Sequence, residues 1–305
     1  MSAFSFDDIP DQSGRTALVT GANTGIGFHI AKELARAGAR VLLACRDRNR
    51  AQAAMADIQA DVPAADLAFI ELDLADLASV RAAADTAREE ARLDLLIENA
   101  GVMMPPFSTA TAGCELQFAV NHLGHFALAG LLLDKLAQTE GSRIVVQSSL
   151  AHRRGDIAFG NLDGDFGYDK SEFYGQSKFA NLLFAFELDR RLRAEGSPVT
   201  VVACHPGIAE TELTRHLPGG AVFGRIVGAA LNDARRGALP ALQAATDPAA
   251  AGGDYYGPWG FMEMSGSTSG RAFATARSRD PVIAKKLWDR SVELTDVDPG
   301  LSPAA

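Results

Sequence analysis

Cysteine is scarce in this chain. Its three copies among 305 residues, Cys45, Cys114 and Cys204, are scattered and fit neither a metal-ligand spacing nor a disulfide framework. They read as buried free thiols of a reducing compartment, and the protein is expected to be cytoplasmic. Positive charge is also in short supply: 29 Lys and Arg against 38 Asp and Glu leave a net charge of −9. That balance argues against a nucleic-acid surface or an anionic membrane as partner, and Arg153-Arg154 reads as a solvated turn. The N-terminus, Met1 to Asp8, lacks the basic and apolar regions of a targeting signal. The most apolar helical stretch, Phe126 to Leu133, ends at Asp134 and Lys135 and is too short to span a bilayer, so no membrane anchor is expected. Internal repeats and linker-like stretches are missing as well.

A composition of 47% hydrophobic residues with 29 glycines and 13 prolines suits one α/β domain over residues 1–305. Apolar β-rich runs near 15–20, 40–44, 67–71, 93–97, 142–148, 198–204 and 253–256 predict about seven strands. Helical periodicity near 25–37, 47–60, 76–91, 112–138, 172–194 and 235–246 alternates with them. Such alternation predicts a doubly wound parallel sheet of Rossmann type, with helices on both faces and ligands outside the carboxyl ends of the strands.

The first strand–helix junction is Gly21-Ala22-Asn23-Thr24-Gly25-Ile26-Gly27. Glycines at 21, 25 and 27 allow a tight turn, make room for a pyrophosphate and leave helix N-terminal N–H groups facing that anion. The second strand ends in Cys45-Arg46 where an acidic residue would accept hydrogen bonds from a ribose 2′-hydroxyl. A guanidinium pairs instead with a 2′-phosphate, which favours NADP(H) over NAD(H). Further on, Tyr174 and Lys178 stand four residues apart on a helix. This spacing puts them about 6 Å apart along the axis on one face, where a cation would lower the phenol's pKa toward a useful range. The pair alone also fits an ordinary solvated helix face.

Taken in order, Thr20 to Gly27, Asp73-Leu74, Asn99-Ala100-Gly101, Asn121, Ser148-Ser149, Tyr174-x-x-x-Lys178 and His205-Pro206-Gly207 resemble the short-chain dehydrogenase/reductases over roughly residues 1–260. Ala44-Cys45-Arg46-Asp47, Met103-Met104 and Asn121-His122-Leu123-Gly124-His125-Phe126 are similar to its retinol-dehydrogenase and WW-domain-oxidoreductase branch. The resemblance implies an oxidoreductase acting on a small carbonyl or alcohol substrate, with Tyr174 as general acid or base and Ser149 donating to the substrate oxygen. It further implies that Lys178 holds the nicotinamide ribose and that Asn121 sits on a distorted helix in a proton relay. Gly21, Asn23, Thr24, Gly25, Ile26 and Gly27 would line the pyrophosphate and adenosine side, Asp73 and Leu74 the adenine, Asn99 with Ala100 and Gly101 the ribose edge. Pro206, Gly207 and Thr211 would meet the carboxamide. The resemblance also implies that long helices at 112–138 and 172–194 can pair with symmetry mates into a homodimer or homotetramer. A non-catalytic NADP(H)-binding regulator or scaffold is the alternative.

Some residues keep two readings. Ser148 competes with Ser149 as hydroxyl donor, and the motif favours the second. His122 and His125 are spaced like a metal pair but have no evident third ligand, so no metal is expected. Phe179, Phe184 and Phe186 suit either the core or a subunit interface. Glu98 stands where the family usually has asparagine; a carboxyl there either meets a cation or has a raised pKa, and it is expected to find a local donor and to be structural. Residues 208–231 read either as an apolar substrate lid suited to a lipophilic compound or as a plain surface helix, and residues 297–305 as a poorly ordered tail.

Overall fold

The computed structural model describes residues 3–208 and 232–303. Its sheet runs in the order β3-β2-β1-β4-β5-β6-β7-β8. The strands are β1 (Thr16–Thr20), β2 (Arg40–Cys45), β3 (Leu67–Glu71), β4 (Leu95–Glu98), β5 (Arg143–Gln147), β6 (Thr200–Cys204), β7 (Tyr255–Pro258) and β8 (Ser269–Arg271). The first seven pair in parallel, and β8 adds an antiparallel edge that the sequence reading missed. Successive strand residues feed opposite faces. Leu18, Leu42, Leu96 and Ile144 pack on one side, while Ala17, Val19, Val41, Leu95 and Val145 pack on the other. Both faces are therefore buried, which explains the uninterrupted apolar strands.

Helices α1 (Gly25–Arg36), α2 (Arg48–Asp61) and α6 (Ala234–Thr246) cover the second face. Helices α3 (Leu77–Arg88), α4 (Leu116–Ala137) and α5 (Lys170–Ala194) cover the first. An aspartate caps most of their starts: Asp47, Asp76, Asp169 and Asp233 each accept a backbone N–H from the first turn. By length and composition α4 is apolar enough to cross a membrane, but most of it is buried inside the fold.

A last helix, α7 (Pro281–Thr295), was not expected. It starts on Asp280, which accepts from Val282 and Ile283 N–H, with Pro281 in the first turn. Trp288 lies edge-on to Phe126, with ring centroids 5.2 Å apart, and under Arg191, 4.2 Å from the guanidinium carbon. The supposed tail is packed too. Val297 is buried against Gly130, Arg191 donates to the Leu301 carbonyl at 2.9 Å, and Ser302 N–H donates to Glu195 at 2.8 Å.

Chain order reverses between β1 and β4. The helices that follow these neighbouring strands go to opposite faces and open a crevice at their carboxyl ends.

Candidate active site

That crevice is a cleft of about 520 Å³. Gly21, Asn23, Thr24, Gly25, Ile26, Gly27, Arg46, Asp73, Leu74, Asn99, Ala100 and Gly101 all line it. The glycine loop packs tightly on the end of β4. Gly21 has φ +67°, and a Cβ on Gly27 would lie 2.3 Å from the Gly21 carbonyl and 2.4 Å from Asn99 Nδ2. Unlike the aspartate-capped helices, α1 has no side-chain bond from its cap residue Thr24, so its first N–H groups stay available toward the cleft. Cys45 supports the loop from below, its sulfur accepting from Ala22 and Asn23 N–H while burial pushes the thiol up to about 11. Arg46 is largely exposed at the end of β2, 3.9 Å from Asp73. Arg50 lines the same end.

The carboxyl ends of β1, β4 and β5 are tied together by side chains. Asn99 Nδ2 donates to the Thr20 carbonyl at 2.8 Å, and its Oδ1 accepts from Gln147 Nε2 at 3.1 Å. The Gln147 carbonyl accepts from Lys178 Nζ at 3.2 Å and from Asn181 at 3.0 Å. Gln147 is thus a junction between the ribose-edge residues and the lysine, and no sequence signal marked it because its partners lie 48 and 31 residues away.

Ser148 and Ser149 are separated by strand geometry. The Ser148 hydroxyl donates to the Lys178 carbonyl at 2.7 Å and is buried under α5. Ser149 opens a 3₁₀ turn, Leu150–Arg154, and its hydroxyl meets both Ala151 N–H and the Tyr174 phenol. Desolvation pushes the Tyr174 phenol above its usual range and the bond to Ser149 pulls it back in part. The expected lowering by Lys178 is not found: the ammonium points at the Gln147 carbonyl, and burial lowers its own pKa to about 8.

Asn121 sits in a π-helical turn of α4, Ala119–Leu123, which is the expected distortion. Its side chain grips Val102, accepting from N–H at 2.8 Å and donating to C=O at 2.9 Å, and it also donates to Ser177. The Asn121 carbonyl accepts from His125 Nδ1 at 3.0 Å, so His125 Nε2 is left to accept from the Thr20 hydroxyl at 2.9 Å. His122 instead bonds Ser291 of α7, at 2.9 Å. The two histidines therefore serve different elements, and both are held neutral by burial.

Glu98 lacks the expected local donor among the described residues. It is buried at the end of β4, and neither carboxyl oxygen has a hydrogen-bond partner among the described residues. Desolvation raises its pKa well above the ordinary carboxyl value. Pro206 and Gly207 follow β6, with Gly207 at φ +73°. Thr211 and all but the first residue of the supposed lid, 208–231, lie outside the described residues.

A family model described as short chain dehydrogenase matches residues 15–219. Retinol dehydrogenase 12 of Mus musculus is 40% identical over 287 residues, covering 93% of this chain and 87% of the relative. Retinol dehydrogenase 13 of Homo sapiens is 42% identical over 294 residues, covering 93% and 86%. Among solved structures, an uncharacterised protein from Mycobacterium paratuberculosis superposes with TM-score 0.82 at 37% identity, covering 97% of this chain and 99% of that one. The Pseudomonas aeruginosa RhlG/NADP complex superposes with TM-score 0.65 at 26% identity, covering 84% and 96%.

Proposed function

Because the chain belongs to the short-chain dehydrogenase family, in its retinol-dehydrogenase-like branch, we propose that it transfers a hydride between NADP(H) and a lipophilic carbonyl compound or its alcohol, with Tyr174 as general acid or base. The observation that carries this reading is the contact between the Tyr174 phenol and the Ser149 hydroxyl, one turn of α5 before Lys178, in the same chain as a cleft lined by the glycine loop and Arg46. When bound, the nicotinamide supplies or accepts the hydride. The chain's own part is to hold and move a proton. Tyr174 donates it to the carbonyl oxygen during reduction, while the Ser149 hydroxyl donates a second hydrogen bond to the same atom.

Lys178 would hold the ribose and stabilise the phenolate left behind. Its lowered pKa leaves an ammonium that exchanges protons near neutrality. Arg46 supports NADP(H) over NAD(H), as its exposed guanidinium stands where a 2′-phosphate would approach. A neighbour solved with NADP is consistent with that preference. The apolar wall of Val102, Met103, Pro105, Leu116 and Val120 supports a lipophilic substrate.

The test is oxidation of NADPH and, separately, NADH across a panel of lipophilic aldehydes and ketones, with Tyr174→Phe alongside. Turnover selective for NADPH is expected. In the variant the rate should fall on the order of 10²-fold while NADPH binding persists, as for loss of a positioned proton donor. Undiminished turnover by Tyr174→Phe would refute the mechanism.

A further inference from the structure

We propose that Glu263 is a positioning residue: its carboxylate locks the Ser149 turn and the His205–Gly207 turn at one spacing across the reacting end of the cleft. This rests on the reading above, in which Ser149 meets the substrate oxygen and Gly207 borders the nicotinamide.

Glu263 lies beyond β7 in a short turn whose backbone is unfavourable. Met262 and Glu263 are consecutive non-glycine residues in the left-handed region, with φ +51° and +60°. Such strain persists only where the surroundings impose it, and here the side chain has three donors. Glu263 Oε2 accepts from Arg153 Nη2 at 2.6 Å and from His205 Nε2 at 3.2 Å, and Oε1 accepts from Phe273 N–H at 2.9 Å.

Each of the first two bonds leads to a wall of the site. Arg153 belongs to the 3₁₀ turn that begins at Ser149. His205 is fully buried, and its Nδ1 accepts Gly207 N–H at 3.1 Å, so the proton on Nε2 is the one donated to Glu263. The next residue of the turn, Met264, accepts Ile208 N–H through its carbonyl at 2.7 Å. Tyr255 bridges the walls from beneath, its ring centroid 5.3 Å from that of His205 and 5.6 Å from that of His152. His152 Nδ1 in turn donates to the Ser149 carbonyl at 2.6 Å. The carboxylate thus controls how far apart the two walls stand, and a displacement of about 1 Å in such a site can cost 10²-fold in rate.

Two variants test this, each in the full chain. Glu263→Gln keeps an acceptor for Phe273 N–H but replaces the anion, and Glu263→Gly removes the carboxylate while relieving the backbone strain. Expected is a fall in kcat per bound NADPH of at least about tenfold in Glu263→Gly and a smaller fall in Glu263→Gln, with the NADPH Kd changed less than about threefold, the signature of lost positioning. Adding Arg153→Ala to Glu263→Gly should cost little more, because the partners act as a unit. Unchanged kcat in Glu263→Gly, or full multiplicative losses in the double variant, would overturn the proposal. Amide exchange of the NADPH-free protein provides a readout independent of turnover: Ala151, His152, Gly207 and Ile208 N–H should all exchange faster in Glu263→Gly. Unchanged exchange at either wall refutes the lock even if no carbonyl is turned over, whereas a wild type that never turns over refutes only the reading of function.

Discussion

At the scale of single residues, Glu98 is the position where chemistry and environment disagree most. Its strand is paired on both sides, with Leu95 to Ile97 beside Ala17 to Val19 and Glu98 beside Val146. Among the described residues no donor reaches the carboxyl oxygens, and the folded state favours the neutral acid. A raised folded pKa means that the protonated form contributes stability below the unfolded value, near 4.5, and that this contribution is lost as pH rises toward the folded pKa. Glu98→Gln has no proton to lose. Its thermal midpoint relative to wild type should therefore climb between pH 5 and pH 8; a constant difference across that range would show that the carboxyl is partnered after all. Tyr174 and Lys178 teach a related lesson: spacing put them on one face, but the ammonium takes the Gln147 carbonyl as its partner.

At the scale of elements, α7 decides what the long helices touch. Its start was legible, since Asp280 followed by Pro281 is a cap followed by a first-turn proline, yet the helical periodicity behind it went unread. Trp288 fills the space between Phe126, Phe184 and Arg191. Its removal should cost about 3–5 kcal/mol, the range for a large aromatic cut to alanine in a core. Urea unfolding of Trp288→Ala, followed by far-UV circular dichroism, measures this. A loss below about 1 kcal/mol would mean that α7 rests on the surface without supporting α4 and α5.

At the scale of the whole molecule, the same helix bears on the expected assembly. α7 and the following strap of residues 297–302 pack on α4 and α5. Phe179, Phe184 and Phe186 are buried within the chain itself. The β8 edge is partly closed as well, by the bridge between Phe4 and Ser269. Sedimentation equilibrium at tens of micromolar should accordingly give a monomer of 32.2 kDa. A dimer would require a face other than the one α7 covers, and substitutions on the β8 edge would be the next measurement.

The sequence by itself determined what depends on neighbours along the chain. The glycine loop, the strand alternation, the aspartate caps, the order of the Ser149 and Tyr174 motifs and the presence of Arg46 at the end of β2 are local, because turns, periods and caps are set within a few residues. Tertiary structure alone decided which donor meets which acceptor across long separations. Gln147 joins Asn99 to Lys178, His125 joins Thr20 to Asn121, and Glu263 reaches Arg153 from 110 residues away. It also decided that Glu98 has no donor among the described residues and that Trp288 of α7 packs on Phe184 of α5. The physical reason is that hydrogen-bond satisfaction and burial belong to the packed whole: a side chain's pKa and partner are set by what the fold brings against it, and no local pattern encodes that.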